Sequence, residues 1–234
     1  MNTVIGRIPE AVLWDMDGVL VDTAELHYLT WKSTLVNHNI PISRVDFNNT
    51  FGMNNGQVLT CLLGQAPSPT LLDEINISKE ELFRALLRES AELYPGVIEL
   101  LSGLHQARYK QAIASSAPQE NIEIVLEKFN LVPYFDATVS GHSLPSKPDP
   151  GVFLLASQRL QIPAGNCIVI EDSFAGIQAA KKAGMRCVAV ATTHPLDALG
   201  DADIAVNDLE ELGVADIQRM LKTKKRQNKH DRFQ

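Results

Sequence analysis

Six short apolar runs recur along this 234-residue chain: AVLWD (11–15), QAIAS (111–115), DATVS (136–140), CIVIE (167–171), RCVAV (186–190) and DIAV (203–206). Each is four or five residues long, the length of a buried strand and too short for a stable helix. Between them lie segments with apolar residues at helical spacing. PQENIEIVLEKF puts Ile122, Val125, Leu126 and Phe129 on one face, and PGVFLLASQRL and SFAGIQAAKKAG repeat the pattern. Strands that alternate with helices of this length build βαβ units, so the fold class predicted is α/β, a parallel sheet with helices on both faces.

The interval from about Glu25 to Leu93 interrupts that rhythm. It offers helices near Glu25–His38, Gln57–Leu63 and Ser78–Leu93, the last opened by Ser78 and Glu81 as a capping box. The β-pattern resumes at LYPGVIELLSGL and needs the first strand as its neighbour. A helical domain inserted after the first strand satisfies both observations. The expected organisation is a discontinuous core of residues 1–24 and 94–221, a helical cap of residues 25–93, and a basic tail of residues 222–234.

In an open parallel sheet, ligands bind beyond the carboxyl ends of the strands. After the first strand come Asp15 and Asp17; after QAIA come Ser115 and Ser116; CIVIE ends in Glu171, followed by Asp172. The loop after DATVS runs into SKPDP and carries Lys147. Every chemically distinctive cluster therefore falls on one rim. Four carboxylates crowded there would raise one another's pKa, and a hard cation that takes carboxylate oxygens, Mg²⁺, would relieve the conflict. A calcium loop of the EF-hand type does not fit DMDG. The glycine comes too early, Val19 occupies a ligand position, and position twelve is Leu26 instead of Glu. Ser116 and Gln119 are spaced as a capping box with Pro118 in the first helical turn, and such a helix start also offers free amides to an anion. Asp149 and Pro150 are expected to cap and open the following helix.

The formal net charge is −7, yet KTKKRQNKHDRFQ (222–234) carries +5, which leaves −12 on the rest. A body this acidic is not a nucleic-acid-binding one. No window approaches the roughly 20 apolar residues of a membrane span, and MNTVIGRIPE lacks the apolar stretch of a secretory signal. Cys61, Cys167 and Cys187 are odd in number and lack metal-ligand spacing. They suit a reducing, cytoplasmic setting.

The segments DMDGVLVD, ASSAP, SKPDP and IEDSFAGIQAAKKAGM resemble, in order, the four motifs of the haloacid dehalogenase superfamily, and within it the β-phosphoglucomutase-like branch. The resemblance covers roughly Ala11 to Leu212. It implies a Rossmann-like core with a helical cap inserted after the first strand, and a phosphatase or phosphotransferase that uses Mg²⁺. It assigns Asp15 as the nucleophile that becomes a phosphoaspartate and Asp17 as the general acid and base. Ser115 and Lys147 hold phosphoryl oxygens; Asp15, the Asp17 carbonyl and Asp172 hold the metal, with Glu171 a direct or water-mediated ligand. For Asp17 to act as an acid, its surroundings are expected to raise its proton affinity. Carbon–halogen-cleaving members lack the second aspartate, so dehalogenation is not implied.

DTAELHYLTWKSTL, with Thr23, His27 and Trp31, is similar to the start of the mutase cap, a resemblance that implies a role for His27 near the interface of cap and core. Where the mutases carry an arginine and a lysine for a second phosphate, TFGMNNG supplies Phe51 and Asn55; where they carry a serine, a lysine and an asparagine, this chain has Ala117, Pro118 and Gln119. Losing a charge-assisted phosphate contact costs roughly 1.5–3 kcal/mol, so the expected substrate is a small phosphorylated metabolite with one phosphate, plausibly a sugar phosphate. Gly18, Ser116, His27, Trp31, Gly52, Asn54, Asn55 and Gln119 are the residues expected to line its pocket. The expected partners are that metabolite alone, with no nucleic acid or membrane, and a monomer as the assembly with a dimer as the alternative. A phosphoglucomutase-type isomerase and a catalytically silent binding protein are the alternatives.

Overall fold

The computed structural model describes residues 9–221, so the basic segment 222–234 lies outside the described residues. Strand β1 (Ala11–Trp14) is buried along its whole length. A turn in which Val19 N, Leu20 N and Val21 N all donate to Met16 O leads into the two-residue strand β2 (Val21–Asp22). Four helices follow: α1 (Ala24–Val36), α2 (Arg44–Thr50), α3 (Asn55–Leu63) and α4 (Pro69–Ser90). The chain returns through β3 (Glu92–Leu93), which pairs antiparallel with β2, Val21 opposite Leu93. Both passages between the sheet and the helical segment thus run side by side. Helices and strands then alternate: α5 (Val97–Gln106), β4 (Lys110–Ser115), α6 (Gln119–Lys128), β5 (Ala137–Ser140), α7 (Gly151–Leu160), β6 (Cys167–Glu171), α8 (Phe174–Lys182), β7 (Arg186–Val190) and β8 (Ile204–Val206).

Six strands form one parallel sheet in the order β5-β4-β1-β6-β7-β8. Its centre is β1, with Leu13 opposite Ala112 on one side and Val169 on the other. Alternate side chains of β1 feed two cores because successive strand residues face opposite ways. Val12 and Trp14 pack with Leu100, Leu104, Ile122 and Val125 of α5 and α6. Ala11 and Leu13 pack with Phe153, Ala156, Ile177 and Ala180 of α7 and α8. With helices on both faces, the central strands have no solvated side, which is why they read as unbroken apolar runs. The chain order reverses beside β1, so the crevice at its carboxyl end is a topological switch point. Among the described residues, no helix is long and apolar enough to cross a membrane.

Helices α1–α4 enclose a separate apolar cluster of Trp31, Leu35, Phe47, Val58, Leu59 and Ile75. Here several local expectations are corrected. The long helix begins at Pro69, where the Ser68 hydroxyl accepts from Leu71 N and proline occupies the first turn. Ser78 is therefore interior, and its hydroxyl donates to the Glu74 carbonyl instead of capping. Helix α2 was not expected, although Ser43 and Asp46 form a full capping box. In LYPGVIELLSGL only the first residue, Leu93, belongs to a strand; α5 starts after Gly96, whose φ of +80° and whose Cβ position 2.5 Å from Glu210 N both require glycine. Ser116 and Gln119 form no capping box, since Pro118 is the cap of α6 and Gln119 Nε2 donates to Glu123. Pro150 is the cap of α7 and not its first residue, with Asp149 Oδ1 accepting from Gly151 N.

Candidate active site

Asp15 continues β1 by one more sheet hydrogen bond, its N–H donating to Ile170 O at 3.0 Å. That places its carboxylate beside the end of β6, where Glu171 and Asp172 stand. All three acids are buried, and one oxygen of each lies within 4.8 Å of the others. Lys147 reaches into the cluster from the loop after β5, donating to Asp15 Oδ1 and Glu171 Oε1, each at 2.6 Å. Burial would lower the lysine, but the two carboxylates outweigh it and hold the ammonium above its ordinary pKa. Burial and the neighbouring Glu171 charge raise Asp15, against the opposing pull of Lys147. Asp172 is raised well above the ordinary carboxylate range by burial and by the charges of Glu171 and Asp15. One ammonium does not balance three acids.

That imbalance is the test for a divalent cation, and the donor set passes it. Three hard carboxylate oxygens converge, and their crowding is the kind a cation relieves. Glycine makes the approach of both flanking acids possible. A Cβ on Gly18, which also sits at φ +84°, would lie 2.1 Å from Asp172 Oδ2. A Cβ on Gly176 would lie 1.8 Å from Glu171 Oε1. Glu171 Oε2 in turn accepts from Asp172 N, Ser173 N and Ser173 Oγ, so its carboxylate closes the start of α8.

Asp17 has a different environment. Its Oδ1 accepts from Thr23 Oγ1 at 2.6 Å and faces His27 Nε2 at 3.4 Å. On the far side of the ring, His27 Nδ1 faces Lys79 Nζ at 3.2 Å. An ammonium has only donors, so Nδ1 accepts and the ring proton sits on Nε2, toward Asp17. Burial and the Lys79 charge lower His27 below its ordinary value and favour this neutral ring. Burial alone would raise Asp17, but the His27 and Thr23 hydrogen bonds and the Lys79 charge outweigh it and hold the carboxyl low. The expectation that the protein raises its proton affinity is thus reversed.

Two cavities open here. The smaller, about 310 Å³, is lined by the acid cluster with Ser115, Ser116 and Lys147. The larger, about 560 Å³ with the space open to solvent included, lies between α1–α4 and the start of α6. Asp17, Phe51, Gly52 and Ser116 border both. The remaining residues expected from the sequence are distributed unevenly. His27 and Trp31 line the larger cavity, Trp31 being 3% exposed within the apolar cluster. Asn54 lines it too, but caps α3 through Gln57 N and donates to Ser146 Oγ at 2.6 Å, which ties the helical segment to the loop before Lys147. Both N–H groups of Asn55 are engaged, by Asn76 and Glu80. Gln119 lies outside the lining of either cavity, its amide directed to Glu123. Gly18 serves the acid cluster and borders neither.

Sequence reading missed Lys79, Glu80 and Asn121. Lys79 Nζ donates to Glu80 Oε1 at 2.7 Å, and Glu80 Oε2 accepts from Asn121 Nδ2 at 2.8 Å. Burial would raise Glu80, but Lys79, Asn55 and Asn121 bring it down to about 2. A signal existed: Ile75, Lys79, Phe83 and Leu87 stand four residues apart on the buried stripe of α4, and a lysine on such a stripe needs a partner.

A family model described as haloacid dehalogenase-like hydrolase matches residues 12–190. The chain is 34% identical over 214 residues to a protein named beta-phosphoglucomutase from Bacillus subtilis (strain 168), covering 87% of this chain and 91% of that protein. It is 33% identical to the phosphorylated carbohydrates phosphatase of Thermotoga maritima, over 75% of this chain and 82% of that one. A solved beta-phosphoglucomutase structure from Clostridium difficile superimposes with a TM-score of 0.83 at 26% identity, covering 92% of this chain and 98% of the other.

Proposed function

The chain belongs to the haloacid dehalogenase-like hydrolases, and from that premise we propose that it is a Mg²⁺-dependent phosphatase of a small monophosphate such as a sugar phosphate. Its relatives carry names of phosphatases and mutases of phosphorylated sugars, and phosphoryl transfer on such metabolites is the shared chemistry. The observation that favours hydrolysis of a monophosphate is the charge of the larger cavity. Among the described residues, Lys79 is the one lysine or arginine that lines it, and Glu80 already neutralises it. A mutase must grip a bisphosphate at both ends, and a second dianion here would find no free lysine or arginine.

Helices α1–α4 act in this reading as a cap over the sheet rim. The phosphoryl group enters the smaller cavity, where Ser115 and Lys147 contact its oxygens and offset their charge. Ser115 Oγ already accepts from Ala117 N, so its own proton is free to donate. An oxygen of Asp15 attacks phosphorus in line; the new O–P bond forms as the bond to the leaving oxygen breaks. Asp17 protonates that oxygen, the approaching phosphoryl charge supplying the upward push on its pKa that the protein does not. Asp17 then takes a proton from water, which attacks phosphorus, frees phosphate and restores Asp15. Thr23 and His27 hold one Asp17 oxygen throughout and leave the other for proton transfer. Mg²⁺, held by Asp15, the Asp17 carbonyl, Asp172 and Glu171, would supply positive charge next to the phosphoryl oxygens. The three free cysteines suit a reducing, cytoplasmic setting.

The second reading, a mutase, is favoured by the 34% identity to beta-phosphoglucomutase. A phosphate-release assay across sugar monophosphates, run beside a coupled assay for conversion of β-glucose 1-phosphate to glucose 6-phosphate, separates the two. Release without conversion supports the phosphatase, and efficient conversion overturns it.

A further inference from the structure

Asn121 is fully buried on the first turn of α6, and its side chain borders the larger cavity. Its Nδ2 donates to Glu80 Oε2, while its Oδ1 has no hydrogen-bond partner. Glu80 is ionised at any ordinary pH and is therefore an acceptor only. The amide cannot turn over without setting its oxygen against that carboxylate, so Oδ1 is fixed as an unpaired acceptor. Native proteins seldom leave a buried acceptor unmet, and this one belongs to a residue that, like Asp17, lines the larger cavity.

The same network determines what the acceptor can read. The Lys79 charge is consumed by Glu80, and the N–H groups of Asn55 are consumed by Asn76 and Glu80. A second phosphate or a carboxylate would meet Oδ1 and Glu80 with no free lysine or arginine, whereas a hydroxyl brings the donor that Oδ1 lacks. Apolar walls from Phe47, Phe51 and Val58 complete a surface suited to the C–H face of a ring.

We propose that Asn121 Oδ1 accepts a hydrogen bond from a hydroxyl on the leaving-group half of the substrate, which assigns the substrate to the monophosphates of sugars or polyols. Glu80 is the positioning residue: it holds the amide in the one orientation that presents oxygen. Glu80 lies on α4 and Asn121 on α6, so the acceptor is assembled only where those two helices meet. This inference rests on the phosphatase reading.

The test is a substrate–protein cycle on the Mg²⁺-loaded full chain. Initial rates of phosphate release are measured for acetyl phosphate, for hexose, pentose and polyol monophosphates, and for their singly deoxygenated counterparts. In the wild-type protein, removal of one particular hydroxyl lowers kcat/KM by about tenfold to a hundredfold. In Asn121→Ala the same deoxygenation costs about twofold or less, because the acceptor is gone. Glu80→Gln, whose amide lets Asn121 turn over, weakens the discrimination without removing Asn121. The wild-type deoxygenation series is decisive even if a variant fails to fold. A wild-type protein indifferent to every single deoxygenation, or a penalty that persists in folded Asn121→Ala, overturns the inference while leaving the phosphatase reading in place. A protein that hydrolyses acetyl phosphate but no sugar or polyol phosphate does the same. A protein that does not hydrolyse even acetyl phosphate overturns both.

Discussion

Replacing Gly176 with alanine puts one methyl group into the most crowded point of the site. The new Cβ would lie 1.8 Å from Glu171 Oε1, 1.9 Å from its Cδ and 2.4 Å from its Oε2. A flexible side chain could step aside, but this carboxylate is held on both oxygens. Lys147 occupies one, and Asp172 N, Ser173 N and Ser173 Oγ occupy the other, between 2.6 and 2.9 Å. Hydrogen bonds to charged groups contribute about 1.5–3 kcal/mol each, so loss of two costs about 3–6 kcal/mol. Alanine's better helix propensity returns about 1 kcal/mol. Gly176→Ala should therefore be destabilised by about 2–5 kcal/mol and lose most phosphate release, because Lys147 and Asp15 lose their neighbour. Urea unfolding followed by circular dichroism measures the first effect, and a phosphate-release assay the second. Gly200→Ala is the control: φ is −60° and nothing lies within 4 Å of its Cβ position. It should be neutral or stabilising by up to about 1 kcal/mol. A Gly176→Ala protein with wild-type midpoint and wild-type turnover would refute the placement of Glu171.

Glu80 gives a pH test. Its folded-state value of about 2 lies below the ordinary 4.5, so its stabilising contribution is complete above the ordinary value and is lost as pH falls toward the folded one. That contribution is on the order of 3 kcal/mol, and the gap in unfolding midpoint between wild type and Glu80→Gln should shrink between about pH 5 and about pH 2; a constant gap would contradict the pairing with Lys79. Asp17→Asn should slow steady-state phosphate release by about 10²–10⁴-fold, with rapid-quench kinetics still showing phosphoryl transfer to the protein from substrates with a good leaving group. Equal loss for good and poor leaving groups would count against proton transfer by Asp17. Chelation of divalent metal should abolish release and Mg²⁺ should restore it; full activity in chelator would remove the metal from the account.

The sheet was legible because a strand covered on both faces is mostly apolar along its length, as β1, β4, β6 and β7 are, with the buried Gln111 of β4 satisfied by Trp14. Their polar ends stood out for the same reason, so Asp15, Ser115, Glu171 and Asp172 were readable as one rim. The helical segment was less legible because local signals compete there. Ser78 and Glu81 have capping spacing, but the stripe of Ile75, Lys79, Phe83 and Leu87 carries α4 straight through them, and Ser68 with Pro69 is where the turn starts. Gln119 has two ways to satisfy its amide and takes the one along its own helix. Glu80 and Asn121 are 41 residues apart, and nothing in either local sequence announces the contact. The low proton affinity of Asp17 rests first on the His27 and Thr23 hydrogen bonds, to which the charge of Lys79, distant in sequence, adds.

The central claim is that Asp15 takes the phosphoryl group before water does. A single turnover with a sugar monophosphate, quenched in acid and digested for mass spectrometry, tests it most directly. The account predicts a phosphoryl group on the peptide that contains Asp15, formed before free phosphate appears and absent in Asp15→Asn. Phosphate released in the first turnover with that peptide unmodified at every time point, and turnover retained in Asp15→Asn, would contradict it.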